Sequence, residues 1–299
     1  MSGWVEVACA LCGSLERDER FRDGPFTVMS CGNCQLVYVT PRLDDDELIE
    51  RVYDESYWRS PAARERGYTD YRSDHELHRR TFRRRLAALA AHLPAGGRAL
   101  DVGCATGAFL ELLLERGFDV LGVEPSHGVR REAARRLGAE RVLAGPLEEA
   151  ELRPASFDLI TFWDVLEHLP RPLRTLKRAR QLLAPGGRLV VETQDVRSLA
   201  ARALGPRWQH FKHAEHLVHF DAETLTLALA EADFELVVRT RRAAGKYVRP
   251  GFVAERARRL LPWLAPLLAP LARLGGAVYL NPHDEWIAVA RSSGPEGAG

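Results

Sequence analysis

Four cysteines near the start of the chain, Cys9, Cys12, Cys31 and Cys34, fall in two C-x2-C pairs with eighteen residues between the pairs. Two residues between cysteines let a tight turn present both thiolates to one ion, and two such turns complete a tetrahedral site for zinc. Four protein thiolates leave no open coordination position, so the spacing predicts a structural rather than a catalytic ion. A redox dithiol is the rival chemistry, but a doubled pair favours metal. Gly13 follows the first pair, where turns often require glycine. The runs "FTVMSC" and "CQLVYVT" read as short flanking strands. A ribbon of about forty residues has too little core to fold unaided, so the metal would supply much of its folding energy.

A second group lies in "LDVGCATGAFLELLLERGFDVLGVEPS", Leu100 to Ser126, which reads as strand, glycine turn, helix, and a strand ending in Glu124. The turn, Gly103-Cys104-Ala105-Thr106-Gly107, lacks the dinucleotide fingerprint, because Ala105 stands where the second glycine of G-x-G-x-x-G belongs. That glycine lets the backbone approach a pyrophosphate. Asp101, two residues before the turn, would repel a pyrophosphate and attract an ammonium or sulfonium group. Glu124 is placed to bind ribose hydroxyls. A ligand with a ribose, a cationic amino-acid part and no phosphate fits this pattern, and S-adenosylmethionine is such a ligand. Cys104 reads as a small buried filler of the turn.

Further along, "WDVLEHL" spaces Asp164, Glu167 and His168 at i, i+3 and i+4, one face if the segment is helical. His168 is a candidate general base near neutral pH. A structural role for the pair, or a divalent ion on all three residues, are the alternatives. "WQHFKHAEHLVHF" holds four histidines between Trp208 and Phe220, a composition found in metal sites and equally on ordinary surfaces.

These groups need a scaffold. Strands are predicted at 98–103, 119–124, 140–144, 157–162, 187–193, 234–241 and 285–291, with helices between most of them. Such alternation predicts a doubly wound α/β fold, a seven-stranded, mostly parallel, Rossmann-like sheet. A helix is predicted from His75 to His92, and another in "FDAETLTLALAEADF", capped by Asp221. The chain divides into a ribbon (1–40), a helical arm or lid (41–95) and a catalytic domain (96–292), with a tail at 293–299 expected to be disordered. The arm carries Tyr53, Tyr57, Trp58, Tyr68 and Tyr71, which would pack the arm or cover a ligand. Residues 250–281 form an insertion containing "RARRLLPWLAPLLAPLARLGG", read as a helical cap on the acceptor pocket, with peripheral membrane contact as the rival. Its apolar run is too short to span a bilayer.

The chain has 299 residues, 46% hydrophobic and 28% charged, as expected of a folded domain with a substantial core. Lys plus Arg number 42 and Asp plus Glu 41, so no global field attracts nucleic acid. The dense "HRRTFRRR", His78 to Arg85, reads as a solvated helix face rather than a phosphate patch. No apolar run near the N-terminus suits a signal peptide, so a cytoplasmic location is expected.

"LDVGCATGAFL", "VLGVEPS", "FDLITFWDVLEHLP" and "LLAPGGRLVVET" together resemble the successive motifs of class I S-adenosylmethionine-dependent methyltransferases, in order and spacing, over residues 98–241. The ribbon, "VYVTPR" and "WQHFKHAEHLVHF" resemble a bacterial subgroup likened to quinone-biosynthesis methylases. The resemblance implies that Asp101, Gly103 and Gly107, with Cys104 and Ala105 between the glycines, line the methionine part. It places Glu124 on the ribose, Pro125 and Ser126 beside the adenine with Leu147 and Glu148 of the next loop, and Phe162, Trp163 and Asp164 near the sulfonium. It puts His213 and His216 in an acceptor-site loop, His216 being a rival base to His168. The expected activity is methyl transfer to a small molecule, such as a secondary metabolite, a sugar or a quinone-like phenol, with oxygen, nitrogen and carbon all open as acceptor atom. The alternatives are an RNA methyltransferase docking its substrate through the ribbon, and a non-catalytic binding module.

Overall fold

Short β-branched and aromatic runs make the strands, and glycines mark where they turn. The computed structural model of the protein describes residues 3–44, 47–48, 74–260, 270 and 274–294. The aromatic arm from Tyr53 to Tyr71, the middle of the insertion and the end of the tail lie outside the described residues.

The ribbon begins with β1 (Trp4–Val5), β2 (Arg17–Asp23), β3 (Phe26–Cys31), β4 (Val37–Val39) and β5 (Arg42–Leu43). The β2–β3 hairpin turns at Gly24, whose φ is +56°, and β1 pairs with β5. Next come α1 (His75–Leu89), β6 (Arg98–Val102), α2 (Ala108–Leu114), β7 (Asp119–Glu124), α3 (His127–Leu137), β8 (Val142–Ala144) and β9 (Phe157–Trp163). The chain continues through α4 (Pro172–Leu182), β10 (Leu183–Gln194), α5 (Leu199–Leu204), β11 (Val218–His219), α6 (Ala222–Ala230) and β12 (Phe234–Thr240). It ends with β13 (Lys246–Val248), α7 (Pro250–Leu260), β14 (Val278–Leu280) and β15 (Glu285–Ser292).

Seven strands form the central sheet in the order β12-β15-β10-β9-β6-β7-β8. β15 runs antiparallel to both its neighbours, and the other pairings are parallel. This is the expected seven-stranded α/β sheet. The chain leaves β6 toward one edge and returns to β9 beside it, so the direction of winding switches between β6 and β9. Ligands of such sheets bind at the carboxyl ends of the strands flanking that point. β10 starts earlier than the sequence predicted, at Leu183, because "LAPGG" is absorbed as an irregularity between Leu183 and Arg188. Asp221 caps α6 as expected: its carboxylate accepts from the backbone of Glu223 and Thr224, and the Thr224 hydroxyl accepts from the Asp221 backbone.

Two readings are refined. The ribbon does not stand alone as residues 1–40: β11, from the histidine-rich segment, completes its sheet in the order β11-β4-β3-β2, with Val218 opposite Tyr38 and His219 opposite Val37. Cys9, Leu11, Cys31, Leu36 and Tyr38 share one buried cluster with Phe162 and Phe220. "HRRTFRRR" is solvated only in part: Arg80, Arg83 and Arg84 are exposed, whereas Arg79 and Arg85 are buried. Arg79 pairs with Glu111 and Arg85 with Glu192, while Arg80 and Arg84 lie over the rings of Tyr247 and Tyr279 at 4.3 and 4.1 Å. The insertion is closed at its base by the antiparallel pair β13–β14, which fixes Lys246 at its root. Among the described residues no helix is long and apolar enough to cross a membrane.

Candidate active site

The glycine turn follows β6. Gly103 and Gly107 have φ of +72° and +79°. A Cβ on Gly103 would sit 2.7 Å from Val165, and one on Gly107 2.7 Å from Leu137, so both need glycine for space as well as conformation. Ala105 also takes the left-handed region, at φ +46°. Its N–H donates to Glu124 Oε2 at 3.0 Å, and the Ser126 N–H donates to Oε1 at 2.8 Å. The Glu124 carboxylate thus ties the turn to the end of β7. The Cys104 side chain packs into the core, as a filler should, leaving backbone toward the cleft.

Asp101 is buried and accepts a 2.6 Å hydrogen bond from Thr161 on β9. Burial pushes the carboxyls of Asp101 and Glu124 up to about 7. Two buried carboxylates beside a turn with little cationic compensation suit a cationic ligand bearing hydroxyls. Thr106, with a buried hydroxyl and no partner, also lies in this turn. Sequence reasoning passed it over, although it stands between the two glycines.

Of the three residues ending β9, Phe162 is buried in one core layer and Trp163 packs with Phe82 and Phe109 in the other. Asp164 follows at φ +55°. The helical face expected for Asp164, Glu167 and His168 does not form. The left-handed residue and a short 3-10 turn at Leu166–His168 break the α-helical spacing. Asp164 instead accepts from Lys246 Nζ at 2.8 Å, which also donates to Glu285 at 2.8 Å. Asp164, Glu192 and Glu285 bring carboxylate oxygens within 4.8 Å of one another. Burial opposes ionisation of Asp164, but the Lys246 ammonium outweighs it and holds the carboxyl at about 2. Nothing in the sequence marked Lys246, Glu192 or Glu285, because three distant segments supply them.

Glu167, His168 and His216 form a second group, with ligand-capable atoms all within 4.8 Å. The two imidazoles meet edge to face, 4.6 Å between centroids. Burial, then the nearby Lys212 charge, lowers His168 to about 4, and burial lowers His216 well below its usual value. Both are neutral imidazoles at pH 7, able to take a proton or ligate a cation. Burial and the Asp164 charge raise Glu167 to about 8, and the Thr193 hydroxyl donates to it at 2.9 Å. His213 does not join them. It packs among Phe21, Phe26 and Phe211 against the ribbon, 3.3 Å from Asp23. Of the adenine-loop candidates, Leu147 is buried in the core and Glu148 accepts a hydrogen bond from Thr175. Ser126 is buried and Pro125 exposed at the end of β7.

The four ribbon cysteines bring their sulfurs together within 4.8 Å, with Cys9–Cys34 at 3.5 Å and Cys12–Cys31 at 3.4 Å. Zinc–sulfur bonds of about 2.3 Å place tetrahedral sulfurs roughly 3.8 Å apart, so the set fits zinc. The knuckles match: Gly13 and Gln35 follow them at φ +72° and +64°, and their N–H groups donate to Cys9 and Cys31 carbonyls at 2.9 and 3.1 Å.

The description "Methyltransferase domain" matches residues 73–238. A ubiquinone biosynthesis O-methyltransferase of Idiomarina loihiensis is 37% identical over 105 residues, 33% of this chain and 42% of the relative. One from Methylococcus capsulatus is 34% identical over 128 residues, 40% of this chain and 53% of the relative. The chain thus spans about half the length of the curated relatives it matches. An S-adenosylmethionine-dependent methyltransferase of Thermotoga maritima superposes at TM-score 0.50 with 22% identity, covering 75% of this chain and 94% of that one. This last likeness concerns the fold alone.

Proposed function

The chain belongs to the methyltransferase domain family, whose match covers more than half of it, and on that premise we propose that it moves the methyl group of S-adenosylmethionine to a small-molecule acceptor by in-line displacement. The observation that carries the reading is the Glu124 carboxylate, held by the Ala105 and Ser126 N–H groups across from the buried Asp101. These are two acids around a glycine turn that has no second glycine for a pyrophosphate. Glu124 takes the ribose hydroxyls, with Pro125 and Ser126 beside the adenine and Leu147 and Glu148 on its far side. Asp101 and the turn backbone from Gly103 to Gly107 take the methionine part. When bound, the cofactor supplies a methyl group already activated on sulfur.

The protein's own contribution is alignment and exclusion of water. Phe162, Trp163 and Asp164 bring the end of β9 to the sulfonium. His168 takes the acceptor proton: it is neutral at pH 7 and so free to accept, although burial makes it a weaker base than the near-neutral imidazole expected from the sequence. His216 packs edge to face on it and fixes the ring. Cys9, Cys12, Cys31 and Cys34 would hold a zinc ion that fastens the knuckles, a structural role apart from the transfer. The names of the relatives favour a phenol-like acceptor and an oxygen acceptor atom.

The test is transfer of radiolabelled methyl from S-adenosylmethionine into an extract of the source cells, separated into small-molecule, RNA and protein fractions. Label in the small-molecule fraction is expected. Label confined to RNA or protein would replace the proposal by a macromolecular substrate, and failure to bind S-adenosylmethionine would make the chain a binding module.

A further inference from the structure

The arginine-rich stretch obvious in the sequence is consumed by ion pairs and ring stacking. A less conspicuous set on α4, Arg174, Lys177 and Arg178, is not. Arg171, Arg174, Lys177 and Arg178 line a cavity of about 590 Å³ between α4, the loop at Glu148 and Ala10 of the first zinc knuckle. Arg174, Lys177 and Arg178 make no ion pair among the described residues, whereas arginines of α1 and α3 are paired with carboxylates. The sequence of α4, "PLRTLKRARQL", contains no acid. The one carboxylate in the cavity, Glu148, is engaged by the Thr175 hydroxyl. Arg178 is braced by the Ala150 carbonyl at 3.0 Å and the Gln181 side chain at 3.2 Å. Its Nε is buried with no acceptor among the described residues.

A solvated helix face would have neither the opposing wall supplied by the ribbon nor a buried donor left unmatched. Concave walls concentrate the field of clustered cations. The volume suits a small molecule. Among the described residues no aromatic ring lines the cavity, so they offer no platform for stacked bases, which single-stranded nucleic acid requires. From Arg174 to Arg178 the helix rises about 6 Å, room for more than one phosphate.

We propose that the cavity between the first zinc knuckle and α4 binds a small ligand bearing two or more phosphates, with Arg174, Lys177 and Arg178 as its recognition set. This does not depend on the proposed methyl transfer. Calorimetry of the zinc-loaded chain, with S-adenosylmethionine present so that the cofactor cleft is filled, measures it with inorganic pyrophosphate, tripolyphosphate and a ten-nucleotide RNA. The expected result is saturable binding of the inorganic phosphates, tighter for tripolyphosphate and weakened by salt. Arg174→Gln with Lys177→Gln, both exposed, should weaken that binding about tenfold or more and leave S-adenosylmethionine affinity unchanged. Absence of phosphate binding at low salt, or binding indifferent to the double substitution, overturns the proposal. Binding of the RNA but not of tripolyphosphate, lost in the same variant, replaces the small ligand by a nucleic acid.

Discussion

Replacing Lys246 by Met keeps the aliphatic stem and removes the one ammonium between Asp164 and Glu285. Each charge-assisted hydrogen bond contributes about 1.5–3 kcal/mol, and Lys246 makes two, both at 2.8 Å. The Lys246 side chain is 38% exposed and Asp164 30%, whereas Glu285 is 7% exposed. Solvent screens the first bond more than the second, so the expected loss is about 2–3 kcal/mol at pH 7 rather than the full sum. The loss must depend on pH. In the wild type Asp164, held at about 2, contributes stability above its unfolded value near 4 that disappears as pH falls through about 2. In the variant, Asp164, Glu192 and Glu285 face one another with Arg85 and His210 left, among the described residues, to offset them, so their folded pKa values rise. A raised carboxyl stabilises the fold at low pH and ceases to do so as pH climbs through its folded value. The deficit should therefore be larger at pH 8 than at pH 5. Urea unfolding followed by tryptophan fluorescence at both pH values gives the two numbers. A deficit below about 0.5 kcal/mol, or one that grows toward pH 5, would refute the assignment of Lys246 as the charge that holds this group together.

Because Asp101 and Glu124 sit at about 7 in the empty cleft, S-adenosylmethionine should bind more tightly as pH rises from 6 to 8, with proton release. Calorimetry in buffers of different ionisation enthalpy checks this, and a proton count of zero contradicts it. His168→Ala should lower kcat about 100-fold or more while leaving S-adenosylmethionine affinity within about twofold; unchanged turnover removes His168 from the reaction. Ala105→Val forces a β-branched residue to φ +46°, costing about 1–3 kcal/mol and pulling the N–H from Glu124. Melting temperature and cofactor affinity should fall together, whereas Ala105→Gly should spare both. Metal analysis should find one zinc per chain, and Cys31→Ser none; a zinc-free wild type that melts at the same temperature would remove the metal from the fold.

The central sheet was legible because each strand is a short, mostly apolar run, five of the seven closed by glycine or an acid, and the order of the runs alternates with helices. The candidate cleft was legible for a related reason: Asp101, Gly103, Gly107 and Glu124 all lie within one strand–turn–helix–strand unit, so sequence distance approximates spatial distance. That logic fails where the site is assembled from afar. Lys246, Glu192 and Glu285 come from the root of an insertion and two separate strands, and no local pattern connects them. The face expected for Asp164, Glu167 and His168 failed because backbone conformation at one residue, φ +55° at Asp164, overrides side-chain spacing. The ribbon's boundary was missed because β11 is two residues long and sits inside a segment whose histidines drew attention to chemistry instead of pairing.

That pairing ties the zinc knuckles to the histidine pair. The Val39 N–H donates to the Leu217 carbonyl at 3.0 Å, and the Leu217 N–H donates to the Glu167 carbonyl at 2.8 Å. One residue, Leu217, beside His216, thus bridges the ribbon and the turn at Leu166–His168. Whatever orders this bridge from one end is felt at the other, and thermodynamic linkage makes the effect reciprocal. If the cysteines hold zinc and the acceptor orders His168 and His216, as proposed above, any gain in zinc retention caused by the acceptor must equal the gain in acceptor affinity caused by zinc. Zinc retention during chelation, with and without acceptor, measures that coupling.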